Sequence, residues 1–321
     1  MKALLLEGRD SLVLREVAAP APGPGEVLLS VEAAGIGGSE CQALADPGRR
    51  PLPQAMGHGI VGRDPQGRRV AVFPLRGCGD CAFCRADRQQ LCDDWSLIGV
   101  QSDGGFQQQL AVPEAALEVL PEGMSWQAAS FVEPFANAVA AWDRSLASAG
   151  DRVAVLGAGG LGLGLVACAA EADCRTVELA EPAPSRRAAA GRLGAMTSAS
   201  ALEGGFDVVF DTVGSEETRA TAIDLTVKGG RCLFLGFATP RGEIDFSALI
   251  RQQKTLIGSF VYDRPQFRRA IALAARCPDD WVQGLGFDRV EPALRAFREG
   301  RFDPVKAALL PNGDPEGHDK G

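Results

Sequence analysis

The feature that most constrains the fold of this chain is a glycine-rich turn between an apolar segment and a predicted helix. The apolar segment covers residues 153–156, and the pattern G-x-G-x-x-G that follows it contains Gly157, Gly159, Gly160, Leu161 and Gly162. In such a turn the first glycine permits a tight bend, the second lets the backbone approach a pyrophosphate, and the third allows close packing of helix on sheet. The helix N-terminus offers N–H groups and a positive dipole end to phosphates. The pattern therefore predicts a dinucleotide-binding βαβ unit.

An acidic residue stands where this unit needs one to recognise a ribose. Glu181 lies about twenty residues after the turn, at the end of the second predicted strand. A carboxylate there accepts hydrogen bonds from ribose hydroxyls and repels the 2′-phosphate of NADP. Arg186 follows closely, and its positive charge favours NADP instead. We predict that NAD is the cofactor, that Glu181 and Arg186 lie in its site, and that NADP is the less favoured of the two.

The two halves of the chain differ in their pattern of apolar residues. The first 120 or so residues are dense in glycine and proline and contain short predicted strands at 26–32, 69–73 and 106–112. From about residue 152, apolar segments at 153–156, 176–179, 208–210, 232–235 and 256–260 alternate with alanine-rich helical stretches such as 185–193. This alternation is typical of a doubly wound parallel sheet. The expected fold class is thus α/β, with a Rossmann domain and a smaller β-rich domain.

Four cysteines form a compact group in the β-rich part. Cys78, Cys81, Cys84 and Cys92 are spaced C-x₂-C-x₂-C-x₇-C. Four thiolates this close can complete a tetrahedral shell around Zn²⁺ and leave no open position for chemistry. An iron–sulfur cluster can use four cysteines as well, although no other feature indicates electron transfer. We predict a structural zinc lobe over residues 78–92.

The composition excludes some classes of partner. The formal net charge is −8, which disfavours binding to nucleic acid through phosphate neutralisation. The charge-free stretch 153–170 contains the glycine turn, so we expect a strand, turn and helix there and no membrane span. Nine cysteines and the lack of a predicted signal peptide lead us to expect a cytoplasmic protein.

With these motifs in this order, the chain resembles the zinc-containing medium-chain dehydrogenase/reductase family, the alcohol and polyol dehydrogenases. The motifs that carry the resemblance are the glycine turn, the cysteine lobe and the segments 22–27, 35–40, 57–59, 104–113, 133–134 and 229–236. The resemblance implies a GroES-like catalytic domain over 1–138 and 276–321 and a Rossmann NAD-binding domain over 139–275. It also implies a homodimer or homotetramer that interconverts a small alcohol and a carbonyl compound by hydride transfer.

The catalytic zinc site of the family is only partly present. Ser39, His58 and Glu133 match the family pattern and are the predicted catalytic residues. The family's cysteine in the first of these segments is replaced by Gly37, and the glutamate after the histidine is replaced by Gly59. His58 and Glu133 therefore supply two possible zinc ligands, whereas a catalytic zinc normally has three. Glu40 and Cys41 follow Ser39, but their spacing matches no ligand position. The other histidine, His318, lies in the polar tail 311–321, which we expect to be disordered.

Several functions remain compatible with this pattern. With an additional ligand, zinc would polarise the substrate oxygen and Ser39 would pass the proton; without zinc, Ser39, His58 or Glu133 would act as the acid. Tyr262 is a further candidate acid. A metal-free site could also reduce an activated C=C bond or a tailored metabolite. The lost ligands also allow a pseudoenzyme that binds NAD without catalysis.

Overall fold

The computed structural model describes residues 1–199 and 201–313, which form two compact units. Of the described residues, the first unit comprises 1–133 and 263–313, and the second comprises 134–199 and 201–262. His318 and most of the predicted tail lie outside the described residues. None of the helices in the described ranges has the length and apolar character needed to cross a bilayer.

The N-terminal part is built mostly from strands, because its short apolar segments are separated by glycine and proline turns. The strands are β1 (Lys2–Gly8), β2 (Ser11–Glu16), β3 (Glu26–Ile36), β4 (Gln54–Ala55), β5 (Gly59–Arg63), β6 (Arg69–Val72), β7 (Leu75–Arg76), β8 (Ser96–Leu97), β9 (Gln109–Pro113) and β10 (Leu117–Val119). The helices are α1 (Gly38–Ala45), α2 (Ala82–Arg85), α3 (Trp126–Ala129) and α4 (Val132–Ser145).

The middle of the chain alternates strands and helices as the pattern of apolar segments predicts. Its elements are β11 (Arg152–Leu156), α5 (Gly160–Glu171), β12 (Thr176–Ala180), α6 (Pro184–Arg192), β13 (Met196–Ser198), β14 (Phe206–Asp211), α7 (Glu216–Leu225), β15 (Thr226–Phe234), α8 (Phe246–Gln252) and β16 (Thr255–Gly258). The C-terminal part adds α9 (Arg264–Ala274), β17 (Val282–Leu285), α10 (Phe287–Arg298) and β18 (Lys306–Leu309).

Both ends of the chain build the main sheet of the first unit. The strand order is β10-β6-β5-β3-β18-β17, and β9 also pairs with β3. The late strand β18 pairs antiparallel with β3, with Ala307 opposite Ile36. This pairing brings the C-terminal segment next to the loop that begins α1. Buried aliphatic side chains such as Leu29, Val31 and Ile60 form the core beneath the sheet.

The second unit contains a parallel sheet with the order β13-β12-β11-β14-β15-β16. The direction of winding reverses between β11 and β14, and in such sheets ligands bind at this switch point, beyond the carboxyl ends of the strands. Val153, Val155, Val208 and Phe210 are completely buried, because helices cover both faces of a parallel sheet. The glycine turn directly follows β11 and so lies at the switch point.

The sequence-based assignment of strands in this unit is confirmed, with one addition. The strand β13 pairs with β12, with Met196 beside Glu178, although its three residues form no apolar run. The short strand is held by backbone hydrogen bonds to its neighbour and not by burial, since Met196 is exposed. Hydrophobic patterning therefore could not reveal it.

The division between the units differs from the predicted boundaries at 138/139 and 275/276. Helix α9 belongs to the first unit, where the ring of Phe267 meets that of Phe73 edge to face at 5.5 Å. On the same helix Arg264 and Arg268 both contact the carboxylate of Glu118, at 2.8 and 2.9 Å. These long-range contacts assign the helix, and they cannot be read from local sequence.

The third glycine of the turn provides a test of the fold. A Cβ atom on Gly162 would lie 1.9 Å from the carbonyl oxygen of Gly157, so Gly162→Ala must displace α5 from the turn. We expect a loss of about 1–3 kcal/mol of stability in thermal unfolding, together with weaker binding of NAD⁺. Gly191→Ala is the matched control, because its Cβ on α6 would meet nothing within 4 Å, and it should retain or gain stability. Equal stability of the two variants would contradict this packing.

Candidate functional site

The glycine turn in the second unit has the geometry that a phosphate-binding loop requires. Gly157 has a φ of +96°, and a Cβ atom there would lie 2.7 Å from Oγ1 of Thr212. Gly159 caps α5, and a Cβ on it would meet no described atom within 4 Å. The turn is thus tightly packed at Gly157 and open at Gly159, which leaves space over the N-terminus of α5. Gly160 packs on Pro134, and Leu161 is half-buried in the first turn of the helix.

The carboxylate of Glu181 is fixed beside this turn. Its Oε2 accepts a hydrogen bond of 2.9 Å from the backbone N–H of Ala158, and its Oε1 accepts one of 2.9 Å from that of Ala183. The residue is 5% exposed, but a carboxylate can accept about four hydrogen bonds, so it retains capacity for a ribose hydroxyl. Arg186 is half-buried near the start of α6. Their contacts with a cofactor remain predictions.

The structure brings the four predicted cysteines together in the first unit. The sulfur atoms of Cys78, Cys81, Cys84 and Cys92 all lie within 4.8 Å of one another. Sulfurs bound to one tetrahedral zinc are separated by about 3.8 Å, so a small contraction would accommodate the ion. Backbone N–H groups also donate to three of these sulfurs at 3.4 Å. The residues fit a structural zinc.

A second cluster of the first unit centres on His58. Glu40, in the first turn of α1, places Oε1 at 2.9 Å from Nδ1 of His58. The contact is close but not aligned as a hydrogen bond, since neither atom is satisfied by one. The other oxygen of Glu40 accepts hydrogen bonds of 2.9 Å from the N–H of Gly37 and from the hydroxyl of Ser39. Glu40 thereby links Gly37 with two of the predicted site residues, Ser39 and His58.

The opposite edge of the imidazole faces Glu133. Nε2 of His58 lies 3.6 Å from Oε2 of Glu133, and both side chains are largely buried. Glu133 lies in the first turn of α4, and Gly59 leaves room for it, since a Cβ on Gly59 would be 3.4 Å from that of Glu133. The structure therefore brings Ser39, His58 and Glu133 together as predicted, with His58 between two carboxylates.

The charges of this cluster shift the pKa values of its members. Burial alone lowers the pKa of His58, but the carboxylates of Glu133 and Glu40 outweigh it and raise the pKa to about 9. Burial correspondingly raises the pKa of Glu40, but His58 and the hydroxyl of Ser39 outweigh that effect and lower it to about 2. Both shifts favour an imidazolium at His58 beside the ionised carboxylate of Glu40 at neutral pH.

The donor set around His58 does not fit a catalytic zinc. His58 and Glu133 could each offer one donor atom, since Nε2 and Oε2 lie 3.6 Å apart, but Gly37 and Gly59 carry no donor side chains. Among residues 1–199 and 201–313, the four cysteines form the only group of at least three potential ligands that the fold brings together. Cys41 is directed elsewhere, with its thiol donating to the carbonyl of Leu294. The described residues around His58 therefore supply two of the three protein ligands that a catalytic zinc normally has.

Two charged residues near the cluster were missed in the sequence analysis. Lys306 is buried on β18, with Nζ 3.4 Å from the carbonyl oxygen of Ile36 and 5.7 Å from the ring centre of Phe131. Burial lowers the pKa of Lys306, whereas the nearby Glu40 and Glu133 raise it. In the sequence, a single lysine in an otherwise apolar strand was the available signal.

Arg50 is the second charged residue near the cluster that was missed. Tyr262, the remaining candidate acid, is buried in the second unit.

The cysteine lobe yields a prediction about metal content. We expect one zinc ion per chain by elemental analysis of the freshly purified protein. Cys84→Ser removes one of four thiolates, so it should release the metal and lower the unfolding temperature. Cys174→Ser is the control, because Cys174 lies in the second unit and outside the cluster. Unchanged zinc in Cys84→Ser would contradict the four-thiolate site.

Comparisons with known proteins agree with both units. Residues 23–122 match the family described as alcohol dehydrogenase GroES-like domain, and residues 160–276 match the family described as zinc-binding dehydrogenase. The chain is 32% identical to the L-galactonate-5-dehydrogenase of Escherichia coli K12 over 81% of this chain and 83% of that protein. It is 29% identical to an L-threonine 3-dehydrogenase of Rhizobium rhizogenes over 95% and 97% of the two chains.

Solved structures show the same fold. A crystal structure from Sinorhizobium meliloti 1021, described as a zinc-binding dehydrogenase bound to NADP, has a TM-score of 0.86 and 28% identity and covers 97% of this chain and 99% of its own. An acetophenone reductase from Geotrichum candidum in complex with NAD shares the fold at a TM-score of 0.88 and 24% identity, covering 96% of each chain. The resemblance drawn from the motifs is confirmed. The chain belongs to the zinc-binding dehydrogenases with a GroES-like domain, which are medium-chain oxidoreductases of the alcohol dehydrogenase type.

Proposed function

We propose that the protein interconverts a hydroxyl group and a carbonyl group of a small molecule by hydride transfer with NAD(H), in a site that works without a catalytic zinc. The single observation that carries this proposal is the position of His58 between Glu40 and Glu133, with glycine at both positions where the family has further ligands. Relatives named for dehydrogenation of L-galactonate and L-threonine support the reaction class.

In this proposal His58 provides the proton in place of a Lewis acid. Bound NADH would supply the hydride to the carbonyl carbon, and Nε2 of His58 would give its proton to the carbonyl oxygen, which receives the C=O π pair. The products are the alcohol and NAD⁺, and oxidation follows the reverse path. Glu40 keeps Nδ1 protonated and Glu133 holds the other edge of the ring. Such positioned proton transfer contributes about 10²–10⁴-fold to rate.

Ser39 has a supporting role. Its hydroxyl donates to Oε2 of Glu40, so its oxygen lone pairs remain available to accept a hydrogen bond from a substrate hydroxyl. Ser39 thereby orients the alcohol, while His58 exchanges the proton. The cysteine lobe, which would hold the structural zinc, takes no part in this chemistry because its ligand shell is complete.

The cofactor is proposed to be NAD rather than NADP, on the basis of Glu181. Glu181→Ala should weaken NAD⁺ binding by about 10–100-fold, because a hydrogen bond to a charged acceptor is lost, and should reduce the preference over NADP⁺. Calorimetric titration of both cofactors measures this. Glu203→Ala, an exposed carboxylate of the same unit, serves as control. If the affinity for both cofactors stays the same, the ribose assignment is wrong.

The catalytic proposal is tested by turnover of NADH with a panel of small ketones and keto sugars, before and after treatment with a strong zinc chelator that leaves the protein folded. We expect His58→Gln and Glu133→Gln each to lower kcat by at least 10²-fold with unchanged NADH binding. Glu114→Gln, an exposed glutamate of the same unit, should have no effect.

Distinct outcomes would contradict distinct parts of the proposal. Two zinc ions per chain with chelator-sensitive turnover would refute the metal-free site but keep the reaction. Reduction of activated C=C bonds in place of carbonyls would change the substrate class. Binding of NADH without turnover of any substrate would indicate a pseudoenzyme, and failure to bind either cofactor would remove the oxidoreductase proposal.

Two further properties are proposed from the family and from the second unit. We expect a cytoplasmic homodimer or homotetramer. Strand β16 ends the described sheet, and α8 before it exposes Phe246 and Ile250. An open strand edge beside apolar side chains favours pairing with another chain. Sedimentation equilibrium measures the assembly, and a monomer at micromolar concentration would contradict it.

A further inference from the structure

Arg50 is a charged side chain near His58 that the proposed chemistry does not use. It lies in the loop after α1, and hydrogen bonds hold one nitrogen of its guanidinium, Nη1, in place. Nη1 donates hydrogen bonds of 2.7 Å to the carbonyl of Gly99 and 3.1 Å to the side-chain oxygen of Gln54. Gln54 is itself buried and held by the carbonyls of Val100 and Ser102. The position of Arg50 is therefore built into the loop structure.

This loop structure places the arginine next to the site. Gly99 has a φ of +88°, and a Cβ atom on it would lie 2.4 Å from the carbonyl oxygen of Gly57 and 2.9 Å from the backbone nitrogen of His58. The residue that accepts the hydrogen bond from Arg50 is thus in van der Waals contact with the backbone of His58. Consistently, the positive charge of Arg50 acts to lower the pKa of both Glu40 and His58.

Arg50 has no carboxylate partner within 4.0 Å in the part of the chain that the structure describes. The carboxylate whose charge acts on the pKa of Arg50 is that of Glu40. Its two oxygens already face His58, Gly37 and Ser39. The Nε and Nη2 groups of Arg50 donate a hydrogen bond to no described atom. Neither nitrogen is fully buried, because neither is among the fully buried side-chain atoms that lack a hydrogen bond. They are therefore accessible to a ligand.

The environment of Arg50 makes it energetically unfavourable for the guanidinium to lack an anionic partner. The side chain is partly buried, and burial lowers its pKa. Charges removed from water are normally paired. Lys306 adds a second buried cation near the same carboxylates, and its Nζ contacts a backbone carbonyl and an aromatic ring. An anionic group beside Arg50 would supply the partner that its guanidinium lacks.

We propose that Arg50 binds the carboxylate of the substrate, so that the enzyme acts on a hydroxy acid and its keto acid in preference to a neutral alcohol. The free edge of the guanidinium matches a carboxylate through two parallel N–H···O bonds. This inference rests on the proposed function, because the same His58 site carries out the reaction. It adds the substrate class, which the catalytic residues alone do not specify.

The test compares acidic and neutral probes of equal length. L-galactonate and L-idonate are titrated into the protein–NADH complex by calorimetry, alongside galactitol and iditol, and each is assayed for turnover with NAD⁺. We expect the acids to bind at least 10-fold more tightly than the polyols. Arg50→Gln should weaken binding of the acids by about 10–100-fold, the range for a hydrogen bond to a charged group, and leave the polyols and NADH unchanged.

Two further variants make the result specific. Arg49→Gln removes the same charge from the adjacent exposed residue and should change nothing. Arg50→Lys retains the charge but loses the two parallel N–H donors of the guanidinium. Its affinity for the acids should therefore lie between that of the unmodified protein and that of Arg50→Gln. The comparison of acids and polyols in the unmodified protein needs no variant, so it decides the matter even where a variant fails to fold.

The outcomes separate this inference from the proposed function. Equal affinity for acids and polyols in a complex that binds NADH overturns the carboxylate site but not the oxidoreductase. Preference for a sugar phosphate over the acids also overturns it, as does loss of NADH binding in Arg50→Gln, which would assign the arginine to the cofactor. No NADH binding by the unmodified protein refutes the proposed function itself.

Discussion

The close contact of one imidazole with two carboxylates is the interaction on which the site in the first unit depends. Removing three ionisable groups from water is unfavourable unless their charges compensate one another. In many family members a metal ion would supply the positive charge in such a cluster. Here His58 carries it, and Glu40 and Glu133 hold the ring from both edges. In the proposed metal-free site, this compensation comes from side chains alone.

Glycine at two ligand positions of the family removes side-chain donor atoms while leaving the backbone in place. Gly37 still begins α1, and its N–H donates to Glu40. Gly59 still lies in β5, opposite Gly35 of β3. The sheet and helix that position His58 and Glu133 are therefore those of the family, and only side-chain atoms are missing. This separation explains how a metal-dependent scaffold can retain its fold and cofactor unit when it loses a ligand set.

The two units place different demands on their residues. In the second unit, the proposed cofactor site depends on backbone geometry, because close contacts within the turn require glycine at Gly157 and Gly162. In the first unit, the proposed catalytic site depends on side-chain charge, and its residues come from distant parts of the chain. Lys306 reaches the cluster only because β18 pairs with β3, and Arg50 is fixed by hydrogen bonds to residues of a separate loop.

The sequence by itself determined the features that depend on local spacing. The alternation of apolar segments, the G-x-G-x-x-G turn and the four cysteines each operate within about twenty residues, so their patterns predicted the parallel sheet, the turn and the zinc lobe. The tertiary structure decided what depends on long-range contacts. It paired Glu40 with His58, assigned α9 to the first unit, and brought Lys306 beside the cluster. Local patterns could not show these relations, because strand pairing and loop packing determine which distant charges share one buried environment.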